Sequence, residues 1–579
     1  MKKSFHFRGL SGYVALCFVF LSFFAVIRVQ AQLDPYHYTI SKRAVGQTGA
    51  VSSAHPLASQ VGVEILKKGG NAFDAAIATQ LALAVVYPNA GNIGGGGFLV
   101  GYTRQGKSIS IDYREKAPGS ASRDMYLDAQ GNPNLNLSQF GHLASGVPGT
   151  VAGLFASHAY AKLSFKELIE PAILLAEKGF AITAAEARSL NSNKSSFEKY
   201  NTILPVFVKS AAWKEGDTLI QPELASTLKR IRDNGKKGFY EGETAALIVA
   251  EMNRGGGKIS LDDLRNYEAA IRQPVVFDYK GHTVIGMPMP SSGGLLMQQM
   301  MKMIEDRNIG SMGFHSPEAV QLMVEVERRA YADRAEFMGD QDFVKVPVKT
   351  LSGSKYLKSR MEDFIPGKAT PSEQIKPGSI NPESEETTHL SVADAEGNVV
   401  SVTTTLNGGY GSKTVVGGGG FFLNNEMDDF SVKPGVANMY GAIGKEANAI
   451  APGKRMLSSM TPTIVLKNKK PWLVVGTPGG TTIPTSVFQT LVNMIEFNQS
   501  ASEAVNNPKF HHQWLPDQVM VENDFPKSVQ SKLEGMGYKF VNRGQIGRTE
   551  VIRLEWKGKQ IQSIEAVADK RGDDHAAAF

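Results

Sequence analysis

Residues 387–405 constrain the fold of this 579-residue chain more than any other stretch. Thr387 opens the run, Leu390 and Val392 alternate with polar neighbours, and Asp394-Ala395-Glu396-Gly397-Asn398 makes a polar break. A second β-rich run, Val399-Val400-Ser401-Val402-Thr403-Thr404-Thr405, follows at once. Two such runs around a Gly-containing turn predict a β-hairpin. The pattern predicts helices at 56–67 and 72–86, the second capped by Asn71 and closed before Pro88. Strands 98–102 and 108–113 follow the Gly94-Gly95-Gly96-Gly97 loop, and helical patterns occupy 164–178, 223–234, 242–253, 294–306 and 317–337. Beyond the hairpin come strands at 463–467 and 472–475, helices at 484–496 and 526–535, and a β-rich tail from 538. Strands bracketed by helices on both sides predict stacked sheets with helical outer layers. Between about 350 and 386 the pattern collapses into Pro, Ser, Lys and Glu, which predicts an exposed, mobile segment ending at Glu386.

The hydrophobic content of 42% is enough for a large core or two domains. Lys and Arg number 62 against 56 Asp and Glu, and the charges are interspersed, so no basic arm or stripe points to nucleic acid. At the N-terminus Lys2, Lys3 and Arg8 precede an apolar run at 13–27 and the tripeptide Val29-Gln30-Ala31. This is signal-peptide anatomy, with cleavage expected after Ala31 and export to the periplasm or beyond. The alternative, an uncleaved anchor, is disfavoured because a membrane span needs roughly 20 apolar residues. No later segment is long and apolar enough to span a membrane. Cys17 is the only cysteine and falls in the signal, so the mature chain has neither disulfides nor thiol chemistry. The Gly94–Gly97 run lacks the Lys-Ser/Thr of a phosphate loop. His511 and His512 are adjacent and point apart, without acids at ligand spacing, so they read as structural. No metal or other cofactor is expected.

A Thr hydroxyl is a poor nucleophile, and no His stands near Thr387 in a familiar triad order. Cutting the Glu386–Thr387 bond would create an α-amine able to act as the base. Four motifs follow: Thr405-Leu406-Asn407, Asn424-Asn425-Glu426-Met427-Asp428-Asp429-Phe430, Leu457-Ser458-Ser459-Met460 and Gly476-Thr477-Pro478-Gly479-Gly480. Acids with an Asn suit an ammonium, and hydroxyls with an Arg suit a carboxylate. Gly479-Gly480 lets backbone N–H groups approach a reacting carbonyl, as an oxyanion hole requires. Alone, each motif is weak: Gly-Gly is usually a turn, and Asp-Asp usually a solvated loop. His389 reads as packing, or as support for cleavage.

In order and spacing, these motifs resemble the γ-glutamyltransferase family. The first half agrees, with Asn89-Ala90-Gly91-Asn92-Ile93-Gly94-Gly95-Gly96, Asp112-Tyr113-Arg114-Glu115-Lys116-Ala117-Pro118 and Gly146-Val147-Pro148-Gly149. The resemblance runs from about residue 42 to the C-terminus. It implies an α/β (α+β) architecture, the four-layer αββα sandwich of N-terminal-nucleophile hydrolases. It also implies a precursor that cuts itself before Thr387, giving a large subunit 32–386 and a small subunit 387–579 that stay together as a heterodimer. The implied activity forms a γ-glutamyl-enzyme from glutathione or another γ-glutamyl compound, resolved by water or by an amino-acid or dipeptide amine.

The resemblance assigns Thr387 as nucleophile and, through its amine, as base, with Thr405 orienting it. Arg114, Ser458 and Ser459 match the groups that hold the substrate carboxylate. Asn407, Glu426 and Asp429 match those that hold the ammonium, and Gly479 and Gly480 the oxyanion donors. Residues 429–448, with Tyr440, resemble a lid loop. Met456 replaces a usual Pro and Thr481 a common Ser, both beside functional positions. Two other readings are a related glutaryl- or cephalosporin-type acylase, which would need no ammonium site, and a non-catalytic exported binding protein.

Overall fold

The expected hairpin forms. Thr388–Asp394 pairs antiparallel with Val399–Thr405, placing Leu390 opposite Val402 and Val392 opposite Val400. Its turn is set by Gly397, at φ 87°, and by the Asp394 carboxylate, which accepts the N–H groups of Glu396 and Asn398. This computed structural model describes residues 33–375, 387–439 and 441–579. The chain divides into two units, Met1–Asp34 and Pro35–Phe579, and the sheets and helices described below belong to the second. The expected signal peptide at 1–31 lies outside the described residues.

The hairpin occupies the middle of a seven-stranded sheet. In spatial order the strands are His575–Ala578, Gly49–Ser53, Thr388–Asp394, Val399–Thr405, Gly96–Tyr102, Ser108–Asp112 and Ala270–Arg272. A second sheet runs Arg43–Gly46, Gln560–Val567, Glu550–Lys557, Lys470–Gly476, Thr463–Lys467, His282–Gly286 and Val275–Tyr279. The sheets face each other across a shared core in which Phe98, Val100 and Val399 meet Ile464, Val474 and Ile552. Helices Pro56–Lys67 and Ala72–Val86 pack on the outside of the first sheet. Gly293–Ile304, Pro317–Phe337 and Thr482–Ile495 cover the second, against Val284, Val465, Leu473 and Val475. The result is a four-layer αββα sandwich.

Local chemistry explains the boundaries. Asn71 and Asp74 form a reciprocal capping box that starts Ala72–Val86, and every residue of that helix is buried. Its sequence has no polar face because it has no solvent face. Both hairpin strands are likewise buried throughout, covered by helices on one side and the second sheet on the other. Each fully buried Val, Leu or Ile there contributes about 1.5–3 kcal/mol of apolar transfer.

Both sheets mix strands from before and after residue 387. Gly49–Ser53 and Gly96–Tyr102 flank the hairpin, and His282–Gly286 pairs with Thr463–Lys467. The two stretches of chain are thus joined by sheet hydrogen bonds and a common core as well as by the peptide between them.

The segment after 350 differs from expectation. Val348–Leu351 and Ser354–Ser359 are short helices, and Leu351, Leu357, Met361 and Ile375 are buried in the core beneath the second sheet. Trp514 donates its indole N–H to the carbonyls of Ser372 and Ile375, each at 3.0 Å. Isolated apolar residues at irregular spacing anchor this stretch, and such anchors leave no periodic signal. Residues 376–386 lie outside the described residues. The helices Thr150–His158 and Ala184–Tyr200 were not expected from the pattern. Among the described residues no helix is long and apolar enough to cross a membrane.

Candidate active site

Thr387 immediately precedes the first hairpin strand and is only 5% exposed. With a period of two, residues 387, 389 and 391 share the face turned toward the second sheet. There the His389 ring packs on Gly476, where a Cβ would stand 2.2 Å from a ring carbon. His389 Nδ1 pairs with Thr403 Oγ1 at 2.9 Å and Nε2 with Ser391 Oγ at 3.1 Å. Burial drives its pKa down to about 3, so the ring is neutral, and both nitrogens are occupied. His389 is packing between sheets.

Thr387 opens onto a small cavity, whose wall also includes Arg114, Thr405, Asn407, Glu426, Asp429, Ser458, Ser459 and Gly480. Five separate stretches of chain supply these residues, and the sequence had singled out all of them. Gly479 adjoins the wall without being part of it. Tyr440 and Glu386 lie outside the described residues. Asn438 and Ala442, from the expected lid segment, do line the cavity, and Asn438 donates to Asp429 Oδ1 at 2.9 Å.

Thr405 ends the second hairpin strand, and its Oγ1 accepts the Asn407 N–H at 2.7 Å. This bend puts Asn407 at φ 75° and lets its amide donate to the Asn425 carbonyl at 3.0 Å. The glycine loop shapes the same place. A Cβ on Gly95 would lie 2.1 Å from the Thr405 carbonyl oxygen, and one on Gly97 2.5 Å from that of Thr403. Asn92 donates to the Thr405 carbonyl at 2.8 Å and accepts the Gly95 N–H at 3.0 Å. Gly95 and Gly97 therefore let two backbones approach closely where the hairpin strand ends.

Charge is concentrated at one end. Arg114, 1% exposed, has its Nη1 2.6 Å from Glu426 Oε2 and 3.6 Å from Glu115 Oε2. Its Nη2 pairs with Asp429 and reaches the Leu457 carbonyl at 3.3 Å, and its Nε donates to the Met456 carbonyl at 3.4 Å. Burial pushes the carboxyls of Glu426 and Asp429 above their usual range against the pull of Arg114, and that of Glu115 up to about 8. An incoming ammonium would draw these carboxyls back toward their charged form.

At the other end, Gly479 at φ 135° and Gly480 at φ 49° turn the chain into helix Thr482–Ile495. Both angles favour glycine. The start of this helix borders the cavity, with Gly480, Thr481 and Ile483 in its wall. The whole can clamp a zwitterion near a hydroxyl and stabilise a developing oxyanion.

Arg334, Met460, Thr481 and Ile483 also line the cavity without having been assigned a role from the sequence. Arg334 comes from Pro317–Phe337, a helix in which Glu325, Glu327, Arg328, Arg329 and Asp333 are buried as well. His511 and His512 lie behind the glycine turn: His511 pairs with Thr485 Oγ1 and Gln513 Oε1, and Gln513 accepts the Thr481 hydroxyl. Among the described residues no acid, His and Cys cluster has metal-holding geometry.

The family model described as Gamma-glutamyltranspeptidase matches residues 58–579. The glutathione hydrolase proenzyme of Escherichia coli (strain K12) is 46% identical over 555 residues, covering 94% of this chain and 93% of that one. The crystal structure of cephalosporin acylase from Bacillus halodurans superposes with a TM-score of 0.81 at 26% identity, covering 96% and 99% of the two chains. A chain of Helicobacter pylori gamma-glutamyltranspeptidase gives 0.55 at 45% identity, covering 56% of this chain and 94% of that one.

Proposed function

This chain belongs to the gamma-glutamyltranspeptidase family, and from that membership we propose that it is a self-processing γ-glutamyltransferase and glutathione hydrolase with Thr387 as its nucleophile. The observation that carries the reading is the cavity itself. It places Thr387 beside a guanidinium, two serines and a pair of carboxylates drawn from both sides of the cleavage position.

In the precursor, the Thr387 hydroxyl attacks the Glu386 carbonyl, the acyl group moves from nitrogen to oxygen, and water hydrolyses the ester. The products are a carboxylate at Glu386 and a free α-amine on Thr387, the base the sequence otherwise lacks. Sheet pairing across both segments holds the 32–386 and 387–579 subunits together as a heterodimer.

In the mature enzyme, Asn407, Glu426 and Asp429 take the ammonium of a γ-glutamyl donor, and Arg114, Ser458 and Ser459 its carboxylate. The two charged ends fix the γ-carbonyl over Thr387. The amine removes the hydroxyl proton as the oxygen attacks, and N–H groups of Gly479 and Gly480 stabilise the tetrahedral oxyanion. The same proton passes to the leaving amine. The γ-glutamyl ester is then resolved by water, or by an amino-acid or dipeptide amine, restoring the Thr387 hydroxyl. Thr405 orients the nucleophile, and residues 429–448 cover the bound group. No cofactor takes part in these steps. The chain is exported by its N-terminal signal.

A glutaryl acylase needs no ammonium site, and the carboxylates of buried Glu426 and part-buried Asp429 disfavour that reading. Measuring glutathione consumption with and without an acceptor dipeptide tests the activity. Consumption that rises with acceptor marks transfer, consumption without it marks hydrolysis, and none in either condition contradicts the reading.

A further inference from the structure

Arg334 is a cavity-lining cation that the proposed mechanism leaves unused. It projects from helix Pro317–Phe337 and is 6% exposed. Its Nη2 donates to Ser459 Oγ at 3.0 Å and its Nε to Ser292 Oγ at 3.1 Å. Ser292 in turn donates its hydroxyl to the Ser458 carbonyl at 2.7 Å, and its backbone N–H reaches the same oxygen at 2.8 Å. One guanidinium thus fixes Ser459 by its hydroxyl and, through Ser292, Ser458 by its backbone carbonyl.

The direction of these bonds matters. A guanidinium only donates, so Ser459 Oγ must accept, which leaves its single hydroxyl proton to donate elsewhere. Ser458 Oγ accepts the Met460 N–H at 3.1 Å and keeps its proton in the same way. Two adjacent hydroxyls in the cavity wall therefore have their acceptor sides engaged by the protein. That arrangement suits an anion.

Arg114 shows why a second cation is needed. Each of its three guanidinium nitrogens is already directed at an acceptor of this chain: Met456 at Nε, Glu426 at Nη1, and Asp429 and Leu457 at Nη2. Much of its charge is answered before any substrate enters. Arg334 directs its Nε and Nη2 at the hydroxyls of Ser292 and Ser459, and its charge also bears on Asp429.

We propose that Arg334 is a positioning and specificity-determining residue for the α-carboxylate of the donor. It orients the Ser459 hydroxyl as a donor, anchors the backbone of Ser458, and supplies positive charge behind both serines. The inference rests on the γ-glutamyl reading of the site and assigns it a determinant from the helix layer. Donors that keep the ammonium but lack the carboxylate gain nothing from Arg334.

The test compares γ-glutamyl-p-nitroanilide with 4-aminobutyryl-p-nitroanilide, which is the same donor without its α-carboxylate, in wild type, Arg334→Gln and Arg334→Lys. All three should yield two fragments on a denaturing gel. For Arg334→Gln, KM for the γ-glutamyl anilide is expected to rise at least about 10-fold with kcat changed less than about 3-fold, because a ground-state contact is lost. The kcat/KM for the 4-aminobutyryl anilide stays within about 3-fold of wild type, so discrimination between the donors collapses. Arg334→Lys, which keeps the charge without the planar fork, falls between the two and serves alone if the Gln variant does not fold. Adding Ser459→Ala to either variant costs less than the product of the single effects, since the two act as one unit. Unchanged discrimination, or an equal loss on both donors, overturns the inference. A wild type that cleaves itself but turns over neither anilide overturns the function reading, and this inference with it.

Discussion

Arg114 Nη1 lies 2.6 Å from Glu426 Oε2, a buried ion pair joining the chain before Thr387 to the chain after it. Within the cavity wall, the group assigned to the substrate's carboxylate and one assigned to its ammonium neutralise each other. A zwitterionic ligand can exchange for that pairing without a net change of charge, which lowers the cost of placing two charges in a closed site.

Arg114→Ala leaves Glu426 and Asp429 buried without their guanidinium, an imbalance worth about 3–5 kcal/mol in comparable buried pairs. Urea unfolding should show a loss of that order, and Arg114→Ala/Glu426→Gln should recover part of it. Self-cleavage should persist while KM for a γ-glutamyl donor rises. A single variant that unfolds like wild type, or that fails to process, contradicts the role assigned to Arg114.

His389 gives a pH signature. Burial lowers its pKa in the folded protein from the ordinary 6.5 to about 3, so protons bind the unfolded chain more readily. Stability is therefore unaffected above pH 6.5 and lost as pH falls toward 3, by about 2 kcal/mol at pH 5 from this group alone. Denaturation of wild type and His389→Gln at pH 7 and pH 5 isolates the effect, because the other buried histidines are common to both. The variant should lose about 2 kcal/mol less between the two pH values. Parallel losses would mean that His389 is not held neutral.

Gly95→Ala tests the glycine cradle. The new methyl would meet the Thr405 carbonyl at 2.1 Å, so either the strand end or the loop must move. Overpacking of this kind costs about 1–3 kcal/mol. Because Thr405 stands in the cavity wall, kcat should fall more than the stability change explains. Full activity in this variant would mean that Gly95 does not shape the site.

Donor chemistry separates the two enzymatic readings. Glutaryl-p-nitroanilide keeps the carboxylate and lacks the ammonium, leaving Glu426 and Asp429 without their counter-charge. Discrimination in favour of the γ-glutamyl anilide should reach at least about 10³ in kcat/KM, the scale seen when buried polar groups lose their partner. Comparable rates on both would favour the acylase reading.

Much of this was legible in the sequence, for identifiable reasons. Period-two alternation around Gly397 marks the hairpin, and Asn71 marks the start of its covering helix. Nine of the wall residues, Arg114, Thr387 and Gly480 among them, were recognisable because ordered motifs carry them. Arg334 was not, because a charged residue on a helix reads as solvated unless the layer covering it is known. The anchoring of residues 350–375 is hidden for a similar reason: Leu357, Met361 and Ile375 are buried at intervals that match no helix or strand period. Gly94–Gly97 was visible as a motif, but its use depends on how close the Thr403 and Thr405 backbones come, which is a tertiary fact.

The central claim is that Thr387 both exposes itself and then catalyses. The most direct measurement is a denaturing gel of purified wild type and Thr387→Ala, with N-terminal sequencing of the smaller band. Wild type should give two fragments, the smaller beginning at Thr387, and Thr387→Ala a single uncut chain. An uncut wild type, a cut Thr387→Ala, or a small fragment beginning at any other residue would contradict it.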